Sequence, residues 1–277
     1  STAGAQHAFD DIPQAGQLLA YLIAGHHAGL ADLINGDSSL SNRLGGHDYR
    51  KALPAESTPL LALDQKLPSL PIPCHPHSLA AFTRLLFSCL VDADFLATEA
   101  FMNPSQADRR QSWPNDILAR METALEIRYA DFDPTATDID RRRATVHTDC
   151  LGAASQQPGL FTLTVPTGGG KTLASLAFAL KHARAHGLRR VIYVVPYTSI
   201  IEQNADEFRK TFSGLSQKLG REIILEHHAN FESTDEGKDA AQSNEKPLWK
   251  LTSENWDAPL IVTTSVQFFE SLYANRT

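Results

Sequence analysis

A chain of 277 residues, 42% hydrophobic and 21% charged, is long enough for more than one domain and ordinary in composition for a globular protein. Its net charge of −7 excludes a generic polycation, so any contact with nucleic acid has to come from local patches or backbone amides. There is no run of about eighteen apolar residues, so no membrane is expected as a partner. Cys74, Cys89 and Cys150 form no C-x-x-C pair, which fits a cytoplasmic location and argues against a zinc ribbon.

The first half reads as helical. In "PQAGQLLAYLIAGHHAGLADLI" the residues Leu18, Leu19, Leu22, Ile23, Leu30, Leu33 and Ile34 share one stripe at helical spacing, with Pro13 as a helix start. Residues 35–77 lack sustained periodicity and carry Pro54, Pro59, Pro68, Pro71, Pro73 and Pro76, so they read as loops with short helices. "SLAAFTRLLFSCLVDADFLATEAFM" predicts a long helix with Leu79, Phe82, Leu86, Leu90 and Ala93 facing one way. "DILARMETALEIRYADF" predicts a third helix, and "TDIDRRRATVHTDCLGAA" a fourth, capped by Thr137 or Asp138.

After residue 158 the pattern changes. "LFTLTV" reads as a strand, 171–186 as a helix stopped by Gly187, and "RVIYVV" as a strand. "TSIIEQNADEFRKTF" predicts a helix, "EIILEH" and "PLIVTT" strands, and "SVQFFESLYA" a helix. Between the last two strands, "ANFESTDEGKDAAQSNEK" reads as a polar loop. Alternating strands and helices imply a parallel sheet. The expected fold class is therefore α plus α/β, divided into residues 1–130 and 131–277.

"TLTVPTGGGKTLASLAFALKHA" carries the clearest chemistry. Consecutive glycines let backbone N–H groups wrap an anion, and the helix that starts there adds its positive end. Thr167, Gly168, Gly169, Gly170, Lys171 and Thr172 are the expected ATP-binding residues, with Lys171 on the β/γ-phosphates and the Thr172 hydroxyl on Mg²⁺. Val165 stands where the P-loop consensus has its first glycine. In that relaxed form "PTGGGKT" resembles motif I of superfamily 2 helicases. "VVPYTSIIEQ" resembles motif Ia, and "IVTTSVQFFESL" a segment on the nucleic-acid track. Thr198, Ser199, Thr263, Thr264 and Gln267 are then candidates to donate to DNA phosphates, the alternative being that they cap helices.

His26 and His27 fall in the apolar stripe of the first long helix, and Asp94 follows Leu90 by four on the second. Imidazoles with a carboxylate suit a first-row transition metal; the alternative is a pair of core histidines with satisfied partners. Asp92 lies about 160° around the helix from Asp94, so the two would rarely serve one site.

Together, "STAGAQ", "AGHHAGL", "LVDADFLATE" and the glycine loop resemble the CRISPR-associated helicase–nuclease family of type I systems. The resemblance implies an all-helical HD-type nuclease domain followed by a partial RecA-like domain. It implies that His26, His27 and Asp94 are catalytic ligands of Ni²⁺, Co²⁺, Mn²⁺ or Fe²⁺. It implies single-stranded DNA and the RNA-guided surveillance complex as partners.

The family's His-Asp doublet and two further histidines lie upstream of this stretch, and its D-E-x-[HD] segment and second RecA-like domain lie downstream. Both ends of the chain read as cut, so it is expected to be an inactive fragment. His47–Asp48, in a glycine turn after the adjacent histidines, reads as a surface decoy, and the "CHPH" histidines His75 and His77 as a lead into a helix. The alternatives are a helicase with a non-catalytic helical recruitment domain and, less in keeping with the helicase motifs, an HD-type phosphohydrolase.

Overall fold

The computed structural model describes residues 2–12, 15–27, 29, 30, 32, 34, 39–45, 75–110, 112–228 and 248–272. Within it the chain forms two compact units, Ser1–Pro104 with Phe269–Thr277, and Ser105–Phe268. His47–Asp48, Cys74 and the polar loop after Asn230 lie outside the described residues.

In the first unit, helices α1 (Thr2–Asp11) and α2 (Gly16–Gly25) pack through small side chains. Ala5, Ala8 and Ala20 are buried between them, with Ile12, Leu19 and Ile23 around. Helix α1 is absent from the sequence-based expectations. Helix α3 (Leu40–Gly45) closes against the pair, where Gln6 Nε2 donates to Leu44 O at 3.0 Å and Arg43 Nη1 donates to Ala24 O at 2.9 Å. The stripe expected to run to Ile34 stops early. Helix α2 ends at Gly25, Gly29 takes φ +82°, and Ile34 is exposed, so His26 and His27 sit in a turn instead of on a helix face.

Helix α4 (Pro76–Met102) is one continuous 27-residue helix. Its N-cap is His75, whose Nδ1 accepts from His77 N, with Pro76 at the first helical position. The buried face is Thr83, Phe87 and Glu99, whereas Leu79 and Ala93 are exposed. The expected stripe is therefore rotated by about one residue, because apolar side chains surround this helix on several sides. Phe87 and Leu30 close over Gly25, which brings α4 to the end of α2.

After the short α5 (Pro104–Asp108), the second unit is built on α6 (Ile117–Ala130), α7 (Asp138–Ala153), α8 (Lys171–Ala185), β1 (Val191–Val195), α9 (Thr198–Leu219), β2 (Ile224–His227), α10 (Leu248–Asn255) and β3 (Leu260–Thr264), with α11 spanning Ser265–Leu272. The three strands form a parallel sheet in the order β1-β3-β2, with Val191 and Ile224 both level with Leu260. One sheet face, with Val191, Val195, Ile224, Leu260 and Val262, packs on Leu176 and Leu180 of α8 and on Ile201, Phe208 and Phe212 of α9. Helix α6, grouped by its sequence position with the N-terminal lobe, adds Ile117, Leu118, Met121 and Leu125 to this same core.

"LFTLTV" does not form the expected strand. Residues 160–165 join no sheet among the described residues, and Leu160 and Leu163 are exposed. Phe161 instead packs edge-on against Phe178 of α8 at 4.9 Å, so its apolar character is used without a ladder. The end of α7 is held to α8 by two imidazoles: His182 Nδ1 donates to Ala154 O and His186 Nε2 to Gln156 O, each at 2.8 Å.

His147 of α7 stacks on Tyr129 of α6, ring centroids 3.6 Å apart. Burial lowers its pKa below the ordinary value, with Glu126 opposing that shift and Lys181 adding to it. The unfolded chain therefore takes the proton first. This contribution to stability is complete above about pH 6.5 and is lost as pH falls. Urea unfolding at pH 7.5 and pH 5 is expected to show a smaller acid loss in His147→Phe, which keeps the stack, than in the parent.

Candidate functional sites: a histidine–carboxylate cluster and a phosphate loop

The end of α2 leaves backbone carbonyls without helical partners. His26 uses one of them: its Nδ1 lies 2.7 Å from Ile23 O. A carbonyl can only accept, so Nδ1 is the donor here, which in the neutral tautomer leaves the Nε2 lone pair for a ligand. The His27 ring lies 3.8 Å from that of His26, tilted by 42°. Asp94 sits seven residues beyond Phe87 on α4, nearly two full turns, and so on the side that meets the end of α2.

The structure brings all three together: His26, His27 and Asp94 each offer one ligand atom, and these atoms lie within 4.8 Å of one another. Two imidazole nitrogens and a carboxylate oxygen are a suitable donor set for a divalent transition metal. Bonds of about 2.1 Å would require the donors to close by roughly 1 Å. His27 and Asp94 are exposed, so they have room to do so. Asp92 is outside this group.

The second site is at the start of α8. Gly169 N donates to Pro166 O at 3.1 Å, closing a tight turn whose third residue, Gly168, has φ +82°. Only glycine adopts that conformation freely. Gly170, the N-cap of α8, also has φ +82°. A Cβ on Gly169 would fall 2.3 Å from Val165 Cγ1, so the consensus departure at Val165 packs directly on the middle glycine. The first helical acceptor is Gly170 O, which bonds Ala174 N. The N–H groups of Lys171, Thr172 and Leu173 therefore lack intrahelical acceptors and face out from the helix end, as anion binding requires.

Thr172 also lines an open cleft of about 280 Å³ with Gln203, Asn204, Asp206, Glu207 and Lys210. Sequence reasoning did not single out these residues of α9. Their signal was a polar stripe at 203, 206, 207 and 210, at helical spacing opposite the buried Ile201, Ala205, Phe208 and Phe212.

The candidates for a nucleic-acid track divide. Thr198 and Ser199 begin α9, immediately after β1. Thr263 is fully buried, and its hydroxyl donates to His227 O at 2.8 Å. Thr264 Oγ1 accepts from Gln267 N at 3.1 Å, so it caps α11 and fixes Gln267 at the helix start.

A parallel sheet with a glycine loop heading α8 has the architecture of a phosphate-loop domain. The chain belongs to the family described as type III restriction enzyme, res subunit, whose model matches residues 116–275. It is also similar to the CRISPR-associated nuclease/helicase Cas3 of Haloferax volcanii, 32% identical over 146 residues. That match covers 48% of this chain and 15% of the relative, so the chain corresponds to a small part of that protein. No helix among the described residues is long and apolar enough to cross a membrane.

Gly169→Ala is expected to displace the turn, because its nearest obstacles are Val165 and the Pro166 carbonyl. Titration with fluorescent ADP and Mg²⁺ checks this, the expected outcome being a loss of affinity of about tenfold or more with the thermal unfolding midpoint little changed.

Proposed function

We propose that this chain is part of an ATP-dependent helicase joined to a metal-dependent nuclease that cuts single-stranded DNA in CRISPR antiviral defence. It would act in the prokaryotic cytoplasm, recruited by the RNA-guided surveillance complex of a type I system. The observation that carries the motor half is the three-glycine turn at the head of α8, with free helix-end amides and a polar cleft beside Thr172. In this reading the Lys171 ammonium takes the β/γ-phosphates of ATP and the Thr172 hydroxyl takes Mg²⁺. DNA phosphates meet the edge formed by Thr198, Ser199, Thr264 and Gln267, and Thr263 supports that edge from within through its bond to His227.

The nuclease half is supported by the gathering of His26, His27 and Asp94. A bound Mn²⁺, Ni²⁺, Co²⁺ or Fe²⁺ supplies an activated water for attack on a phosphodiester. The chain's own part would be to hold it: His26 through Nε2, oriented by the Ile23 carbonyl, with His27 and Asp94 as the other two donors. Residues from the start of the chain through α4 would belong to the HD-type lobe, and the family-matched region from residue 116 to the first RecA-like domain.

The test separates the halves in the intact protein. His26→Ala is expected to lower Mn²⁺- or Ni²⁺-dependent cutting of single-stranded DNA by at least about 100-fold, the upper end for loss of an outer-shell partner alone, while DNA-stimulated ATPase persists. Lys171→Ala is expected to do the reverse. Cutting that survives His26→Ala, with no transition metal bound to the intact protein, would favour a helicase carrying a non-catalytic helical recruitment domain.

A further inference from the structure

We propose that Arg143 is a positioning residue for the phosphate loop, holding it from outside in the shape that receives an anion. The proposal rests on the nucleotide-binding reading above. Arg143 lies on α7, and its Nε donates to Gly168 O at 2.9 Å. Its aliphatic stem covers Gly170, where a Cβ would come within 3.3 Å of Arg143 Cγ. Its Nη1 donates to Asp140 Oδ1 at 3.2 Å, and Asp140 is in turn held by the N-cap of α7: Thr137 Oγ1 donates to Asp140 Oδ2 at 2.6 Å and accepts from Asp140 N at 3.2 Å. Three residues spaced one helical turn apart thus transmit the geometry of a helix start to the glycine turn.

The need for such a brace follows from the glycines. Gly168 and Gly170 at φ +82° are free to rotate at little steric cost, so the peptide between Gly168 and Gly169 can flip. A flipped peptide would turn the Gly168 carbonyl toward Pro166 O, opposing two carbonyl oxygens and breaking the turn that shapes the loop. In a trans peptide the carbonyl and the following N–H point in opposite directions. Arg143 holds the carbonyl on one side and Pro166 O holds the N–H of Gly169 on the other. On the leading leg the Pro166 O contact has no strand behind it, because residues 161–166 have no sheet partners among the described residues. Arg141 and Arg142 pair with Asp138, so within the run Arg141–Arg143 the contact to the loop belongs to Arg143.

Two measurements on the full chain test this. Without nucleotide, Arg143→Ala is expected to speed amide hydrogen exchange at Gly169 about tenfold, while Arg142→Ala leaves it unchanged. With Mg²⁺ and fluorescent ADP, Arg143→Ala is expected to raise Kd about tenfold, because a smaller fraction of loops is in the receptive shape. Arg143→Lys is expected to recover part of that loss, since an ammonium can donate to Gly168 O but cannot fork to Asp140 as well. Unchanged Gly169 exchange overturns the proposal. So does faster exchange with unchanged ADP affinity, which would make the contact structural only. Lys171→Ala distinguishes the underlying reading: if the parent binds no ADP, or binds it as well as Lys171→Ala does, the nucleotide assignment fails and the proposal falls with it. If Lys171→Ala loses binding and Arg143→Ala does not, the proposal alone fails.

Discussion

The second unit depends on the burial of a single helix. Helix α8 places Leu176 and Leu180 at zero exposure among α6, β1 and α9, and that packing fixes its axis. Its first turn is nevertheless open to solvent, with Lys171 exposed. An anion-binding helix end has value only if it cannot drift, because unpaired N–H groups attract a phosphate in proportion to how well they are aimed. The same apolar contacts that stabilise the core therefore aim the site. Removing volume beneath α8 would disturb both.

The two candidate sites use opposite ends of helices. At the close of α2, spare carbonyls at Ile23 and Ala24 are taken by His26 and Arg43, an arrangement that suits cations at the negative end of a helix. At the opening of α8, spare N–H groups suit phosphate. Each site thus draws its polarity from backbone groups that every helix leaves over. The side chains select among ligands that the backbone already favours.

What could be read in advance follows the same division. Helix α9 was legible from Thr198 to Phe212 because its apolar stripe marks one face without reference to the rest of the chain, and the structure carries it about two turns further to Leu219, where Gly220 ends it. The strands β1, β2 and β3 were legible as short apolar runs. "LFTLTV" has the same composition, but a strand requires a neighbour to bond with, and composition does not display neighbours. Helix α6 was legible as a helix but not as a member of the second core, since Ile117, Leu118, Met121 and Leu125 would serve any apolar surface. Of the histidine–carboxylate cluster, Asp94 could be found by its spacing from Leu90, although the helix face was rotated from the one expected. The turn that joins His26 to His27 depends on Gly25 and Gly29 stopping a helix whose periodicity continues past it. Arg143 was hidden inside a basic run, and only the approach of α7 to the glycines distinguishes it from Arg141 and Arg142.

The imidazoles that tie α8 to the end of α7 differ in kind from His147. His182 and His186 both donate to carbonyl oxygens, at Ala154 and Gln156, beyond the end of α7, whereas His147 stacks on a ring within the packed flank. The stretch between Ala154 and the glycine turn is thereby moored at its near end by two side-chain donors, so the approach to the phosphate loop is anchored to the helix that the loop itself opens.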